Sequence, residues 1–490
     1  MTNQEPLADR SYPDVPLYIG GVWRSTARTL GVINPANETV IGQVACATRT
    51  DLDDAVAAAR RGFAVWRTTS PEKRARIMID AAARIRQQAD RIAAVMTLEQ
   101  GKPVGQSRLE VERACDIIEW DANEGRRIYG RQIPGEFGMI HLALREPIGV
   151  VAAFSPWNFP ISSPARKIAG ALAAGCSIVL KASEETPASA MLMVRAFEEA
   201  GLPAGVINLV FGEPSEISSH LIAHPDVRLI TFTGSVPVGR LLASQAGQHL
   251  KPTIMELGGH GPVLVCEDVD VDEVAKRSAL IKSRNAGQVC VAPTRFFVHE
   301  RIHERFVEAF AHHVSALKMG DGLDPQTELG PLANARRLQS MEDLVGDAIR
   351  QGARIAAGGK RRGDSGYFYP LTVLADIPYA ARCMSEEPFG PVALVNPVAS
   401  LDEAIFQANR LPFGLAAYGF TNNADHVATM MANVECGTLS INHYVSSVAE
   451  TPFGGVKDSG YGREGGIEGL QGYTVVKNVS HLTRPSRPAV

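Results

Sequence analysis

Alternation between two hydrophobic periods is the feature that most restricts what this chain can become. From residue 149 onward, short β-branched runs alternate with helical stretches roughly every thirty residues. Parallel strands demand that rhythm, because each is reached only through a crossover. GVVAAF (149–154), SIVLKA (177–182), VINLVF (206–211) and RLITFTG (228–234) read as strands, with helices over 163–174 and 187–200 and a short helix after 211. TIMELGG then passes to GPVLVCED and a helix from about Asp272, and the alternation continues to Pro391 and beyond. The prediction is a doubly wound parallel sheet followed by a second α/β unit, with a site in the cleft between them.

Upstream, residues 51–66 and 71–97 place apolar side chains at three- and four-residue intervals behind acidic or proline starts, which predicts two amphipathic helices. A length of 490 residues exceeds the ~250–300 at which one core stops growing, so more than one domain is expected. No long linker or repeat interrupts the chain, and the domains should pack closely.

Charge and cysteine usage narrow the function. Lys plus Arg number 49 and Asp plus Glu 53, both signs scattered, which argues against nucleic acid as a partner. The longest strongly apolar run, Ile168 to Leu180, is bounded by Lys167 and Lys181 and falls short of the ~20 residues that span a bilayer. The polar N-terminus does not read as a secretory leader. Seven cysteines without CxxC spacing point away from a disulfide framework or a metal site and toward a reducing, cytoplasmic compartment.

The strand ends carry the chemistry. The first βα turn reads FSPWNFP, and the usual GxGxxG occurs nowhere. Lys181 and Glu184 follow the second strand, where a doubly wound sheet holds a ribose, unless they are simply a solvated charge pair. Gly234 and Ser235 open a helix whose N-terminus suits a pyrophosphate. Cys290 lies in the polar turn RNAGQVCVAP, unlike Cys176 in its apolar run, and a thiol there is free to ionise and attack a carbonyl. Glu256 closes an apolar strand before two glycines, where a dry cleft would raise its pKa enough for it to act as a base. Taken singly, a small buried hydrophobe and a surface acid are the commoner roles for such residues. No G-x-S-x-G elbow offers a serine nucleophile instead.

In order along the chain, PWNFP (156–160), KASEETP (181–187), FTGS (232–235), MELGG (255–259), GQVC (287–290), EEPFGPV (386–392) and PFGG (452–455) resemble the aldehyde dehydrogenase superfamily over nearly the whole length. IIEWDANEGRRIYGR, RNAGQVC and GGVKDSGYGREGG are similar to its succinate-semialdehyde dehydrogenase branch and to relatives acting on 2-oxoglutarate semialdehyde.

The resemblance implies the α/β aldehyde dehydrogenase fold. A Rossmann-like dinucleotide-binding domain would span 1–125 and 148–257, a catalytic domain 258–470, and an oligomerisation arm 126–147 and 471–490, in a homodimer or homotetramer. Cys290 becomes the nucleophile, Glu256 the base that activates water, and the Asn158 amide with the Cys290 N–H the oxyanion donors. The presence of Glu256 implies an acid product rather than acyl transfer to coenzyme A. Pro156, Trp157, Lys181, Ser183, Glu184, Gly212, Gly234, Ser235, Glu387 and Phe389 would hold the dinucleotide without the GxGxxG turn. NAD is preferred, because Glu184 repels a 2′-phosphate, and NADP is admitted through Lys181. Arg166, Arg284 and Ser447 would take the distal carboxylate of a short semialdehyde, succinate semialdehyde first, with 2-oxoglutarate semialdehyde or unsubstituted aldehydes as alternatives; no metal is implied. Many enzymes of this branch carry a second cysteine two residues after the nucleophile. Here Val291 and Ala292 follow Cys290, which removes a local disulfide.

Overall fold

The computed structural model describes residues 12–483. The start of the polar N-terminus (1–11) and the end of the expected arm (484–490) lie outside the described residues.

Both expected sheets are present. The first has eight strands, in the order Val22–Arg24, Leu17–Ile19, Ile207–Val210, Ser177–Lys181, Val150–Phe154, Val227–Gly234, Thr253–Leu257 and Gly460–Tyr461. Its five central strands are parallel and the strands flanking them pair antiparallel. The chain winds outward from Val150–Phe154 to Ile207–Val210, then returns to the other side with Val227–Gly234. A crevice therefore opens at the carboxyl ends of these two neighbours, where such sheets bind ligands. Val150–Phe154, Ser177–Lys181 and Ile207–Val210 are buried throughout, as continuous apolar strands covered on both faces must be.

The second sheet has seven strands, in the order Arg354–Ala357, Thr372–Ala375, Val392–Val398, Pro293–His299, Gly261–Val265, Ala416–Phe420 and Thr438–Ile441. All its pairings are parallel except that of the first two. Each sheet has its own buried core. The chain passes between the two sheets through Gly258–His260, but Gly460–Tyr461 returns to the first sheet, and Leu470 and Tyr473 join the first core. A third sheet pairs Met139–Pro147 with Thr474–Leu482 over nine positions and carries Arg131–Ile133 on its other edge. It lies within the two segments expected to form the arm.

The helix expected over 71–97 is two helices, Pro71–Gln87 and Ala89–Gln100, broken at Gln88 (φ −102°, ψ 14°). Buried positions continue through Ile85, Ala89, Ile92 and Met96, so periodicity alone conceals the break. The second helix carries Glu99, whose carboxylate accepts from Ala188 N (2.9 Å) and Ser189 N (3.0 Å) and caps the helix Pro187–Glu199. Among the described residues no helix is long and apolar enough to cross a membrane.

Candidate active site

The loop after Val150–Phe154 is held from outside the sheet. Helix Ser162–Ala174 has no cap from its own N-cap side chain, and Glu110 fills the position, accepting from Ile161 N and Ser162 N at 3.1 Å each. Lys102 is buried against Glu110 and donates to the Asn158 carbonyl at 2.7 Å. A buried pair of this kind is tolerated only when its remaining hydrogen bonds are made. Here they fix the backbone of Asn158, whose Nδ2 donates to Gln288 O at 3.0 Å.

The opposite wall is a strained turn. Helix Val271–Ser283 ends at Arg284, and Asn285 (φ 49°), Ala286 (φ 51°) and Gly287 (φ 69°) then run left-handed. For an alanine this costs about 1–2 kcal/mol. The side chain of Asn285 locks the turn: its Oδ1 accepts from Gln100 Nε2 (2.8 Å) and its Nδ2 donates to the Asn158 carbonyl (2.9 Å). A Cβ on Gly287 would lie 2.2 Å from Gly390 O, so only glycine lets the two loops touch. The turn delivers Cys290 just ahead of Pro293–His299.

A third loop brings Glu387 and Phe389, the latter also left-handed (φ 45°), ahead of Val392–Val398. Arg337 donates to Pro388 O and lies 5.8 Å over the Phe389 ring, which meets Trp157 edge-on at 5.6 Å.

These elements enclose a cavity of about 740 Å³. Cys290, Glu256, Asn158, Arg166, Arg284 and Ser447 line it, with Pro156, Trp157, Gly234, Ser235, Glu387 and Phe389. Lys181, Ser183, Glu184 and Gly212 do not; they lie farther along the carboxyl edge of the first sheet. Lys181 is buried and bonded to half-buried Glu184, Ser183 Oγ accepts from Glu185 N (3.2 Å), and Gly212 (φ 133°) sits beside Cys46 and Ala47.

The residues present fit a dinucleotide. Ser235 N-caps Val236–Gln248 without a side-chain bond, leaving first-turn N–H groups for a phosphate. Thr233 Oγ1 is buried, lines the cavity and has no protein partner. A Cβ on Gly234 would lie 2.3 Å from the Phe232 ring, so glycine is needed where the strand meets the helix.

Burial sets the charges. Glu256 is 3% exposed, and burial, reinforced by Glu464, raises its pKa to about 8, while Lys167, paired with Glu464 at 2.7 Å, pulls the other way. Its Oε1 has no protein partner. Glu387 is raised by burial to about 7. The thiol does not follow the expectation of ready ionisation: burial, then Glu256 and Glu387, hold Cys290 well above an ordinary thiol. Those carboxyls are invisible in the sequence around a cysteine.

Arg166 is neither a surface residue nor a cap on its own helix. It is buried, its Nη2 donates to Ser447 Oγ at 2.7 Å and its Nη1 has no partner. Sequence reasoning missed Arg113, on helix Val104–Glu124, which also lines the cavity and donates to Ser447 O. It missed Glu464, Lys102 and Glu110 as well; an ionisable residue on an otherwise apolar helix face was the one available signal for Glu110 and Arg113. Two clusters of metal-capable donors, Cys266 with Asp268 and His426, and His303 with Glu304 and Asp376, share no residue with the cavity.

The crevice and the Glu256 carboxyl of the first sheet face the Cys290 thiol carried by the second, the layout of an oxidoreductase working on a carbonyl. The model of the aldehyde dehydrogenase family matches residues 23–479. A putative 4-(hydroxymethyl)benzenesulfonate dehydrogenase of Comamonas testosteroni is 47% identical, over 95% of this chain and 98% of its own. The succinate-semialdehyde dehydrogenase (NADP(+)) of Escherichia coli K12 is 38% identical, over 94% and 96%. The crystal structure of a succinate-semialdehyde dehydrogenase from Burkholderia pseudomallei superposes with a TM-score of 0.95 at 38% identity, covering 98% of this chain and all of the other. The chain belongs to the aldehyde dehydrogenase family and is an NAD(P)-dependent oxidoreductase.

Proposed function

We propose that the enzyme oxidises a short aldehyde carrying an anionic group at its far end, with succinate semialdehyde as the first reading. The observation that carries this is the placement of Arg166 and Arg284 in the Cys290 cavity with no carboxylate in ion-pairing distance of either, among the described residues. A buried guanidinium without a partner is costly, and an anionic ligand would relieve that cost with charge-assisted, two-pronged bonds.

Cys290 Sγ adds to the aldehyde carbon once its proton has gone to Glu256, the carboxyl whose burial keeps it basic. The oxyanion is held by the Cys290 N–H and by Asn158: one amide hydrogen is fixed on Gln288 O, which aims the second into the cavity. Bound nicotinamide supplies the hydride acceptor. Glu256, after passing the thiol's proton to solvent, takes a proton from the water that hydrolyses the thioester, giving the carboxylic acid. Trp157, Phe389, Glu387, Pro156, Gly234 and Ser235 would hold the nicotinamide end and pyrophosphate, and Lys181, Ser183, Glu184 and Gly212 the adenosine end, with NAD preferred. The sheet of Met139–Pro147 and Thr474–Leu482 would join subunits into a dimer or tetramer of a cytoplasmic enzyme. Its exposed Val475, Val476 and Leu482 suit that use.

Relatives named for a carboxylated and for a sulfonated substrate leave the head group open between the two. Arg284→Leu should raise KM for succinate semialdehyde roughly ten- to hundredfold, far more than for butanal. If both rise equally, or butanal is the better substrate of the unaltered enzyme, the anion pocket is wrong and 2-oxoglutarate semialdehyde falls with it.

A further inference from the structure

Two guanidiniums meet at Ser447, and a third lines the same cavity. Arg166 donates to its hydroxyl and Arg113 to its carbonyl, so one residue ties together side chains from two helices. Arg284 lies in the same wall: the cavity holding Cys290 and a neighbouring one of about 850 Å³ share Arg113, Arg284, Ser446 and Ser447. None of the three lies within ion-pairing distance of a carboxylate among the described residues, although pairs of Lys or Arg with carboxylates are common elsewhere. Burial, then Arg284 and Arg166, push Arg113 down to about 10, as expected of cations crowded without compensation.

A carboxylate has acceptor sites enough for more than one guanidinium, but its two oxygens lie in one plane, so three guanidiniums approaching from different sides must share them. A tetrahedral head with three oxygens gives each guanidinium its own acceptor. We infer that Arg113, Arg166 and Arg284 seat a sulfonate, carried on an aromatic aldehyde. The walls suit the aromatic spacer: Ile117, Phe159 and Phe453 line the cavity, with Arg284 5.5 Å over the Phe159 ring and Arg166 5.1 Å over Phe453. This rests on the anion-pocket reading above and narrows it to one head group, with Arg113 as the residue that discriminates.

The test compares 4-formylbenzenesulfonate, 4-formylbenzoate and benzaldehyde on the purified enzyme and on Arg113→Gln and Arg113→Lys. The kcat/KM ratio of sulfonate over benzoate should exceed about tenfold in the unaltered enzyme and fall toward one in Arg113→Gln, mainly through KM. Arg113→Lys should restore only part of it, because an ammonium keeps the charge and loses the fork. Preference for the benzoate, or a ratio unmoved by Arg113→Gln, overturns the sulfonate seat while the anion pocket stands. Benzaldehyde matching both anions overturns the pocket itself. If Arg113→Gln does not fold, the ratio in the unaltered enzyme decides.

Discussion

The two large, mainly parallel sheets of this enzyme are used at opposite ends. The first presents carboxyl ends to the cavity: Phe154 leads to Trp157 and Asn158, Gly234 to Ser235, and Glu256 is itself the penultimate residue of its strand. The second presents amino ends, since Cys290 precedes Pro293–His299, Glu387 precedes Val392–Val398 and Gly258 precedes Gly261–Val265. The difference shows in the backbone. The non-glycine left-handed residues among the site loops, Asn285, Ala286 and Phe389, all belong to the amino-end side. A carboxyl end feeding a helix offers N–H groups to a ligand without strain, whereas a nucleophile placed ahead of a strand has to be forced into position.

If that division is right, the two edges can be broken separately. The largest effect is expected at the thiol: Cys290→Ala should abolish oxidation while dinucleotide binding, followed by fluorescence or calorimetry, persists. Loss of binding would mean the edges are not independent, and residual turnover would remove the nucleophile. Glu256→Gln should allow at most one stoichiometric formation of reduced cofactor and then stall at the thioester. Because Glu256 is raised to about 8, its basic form gains with rising pH, so steady turnover of the unaltered enzyme should climb through that value, and a flat profile there would remove Glu256 as the base. The same shift lowers folded stability between the ordinary carboxylate range and about pH 8, since the folded state there keeps a proton the unfolded chain has released.

Asn158 stands where the edges meet, on the first sheet's loop yet bonded to Gln288 and Asn285 of the second. Asn158→Ala should lower kcat about 10²–10³-fold, the usual loss for one oxyanion donor. A change under threefold, with chemistry shown to limit the rate, would assign Asn158 to joining the loops instead.

The same division decided what could be read from the sequence. Strand and helix alternation located the first sheet, and position at its strand ends pointed to Lys181, Glu184, Gly234 and Ser235, while Glu256 was a candidate base there that the resemblance assigned. No comparable rule reaches Glu387 or Phe389, which came from resemblance, and Cys290 was marked only by its polar turn until the resemblance assigned its role. Arg113 came from neither. It lies in the middle of a helix 53 positions before Arg166 and 334 before Ser447, and only the fold brings the three together. The break at Gln88 was hidden for a related reason, since the apolar spacing continues across it while the backbone turns. The state of the Cys290 thiol depended on Glu256 and Glu387, each far away in sequence, so local polarity gave the wrong sign.

The smallest effect belongs to the far end of the carboxyl edge, and it tests whether that edge selects the cofactor as well as holding it. Glu184 is half-buried and bonded to the buried Lys181 ammonium, so the pair combines a repulsive and an attractive group for a 2′-phosphate. Their opposite charges nearly cancel at a distance, but the carboxylate can also accept from ribose hydroxyls, which favours NAD. Glu184→Ser removes the acceptor and the repulsion together and frees Lys181 for a phosphate. The kcat/KM ratio of NADP to NAD should therefore rise, by about tenfold rather than more, because the site is partly open to solvent and the charge that is lost was already compensated. Such a change in the cofactor ratio, with the aldehyde KM unmoved, would place cofactor choice wholly on the first sheet. Preference for NADP in the unaltered enzyme would show that Lys181 prevails over Glu184 even while bonded to it, and the repulsion argument would then have the wrong sign.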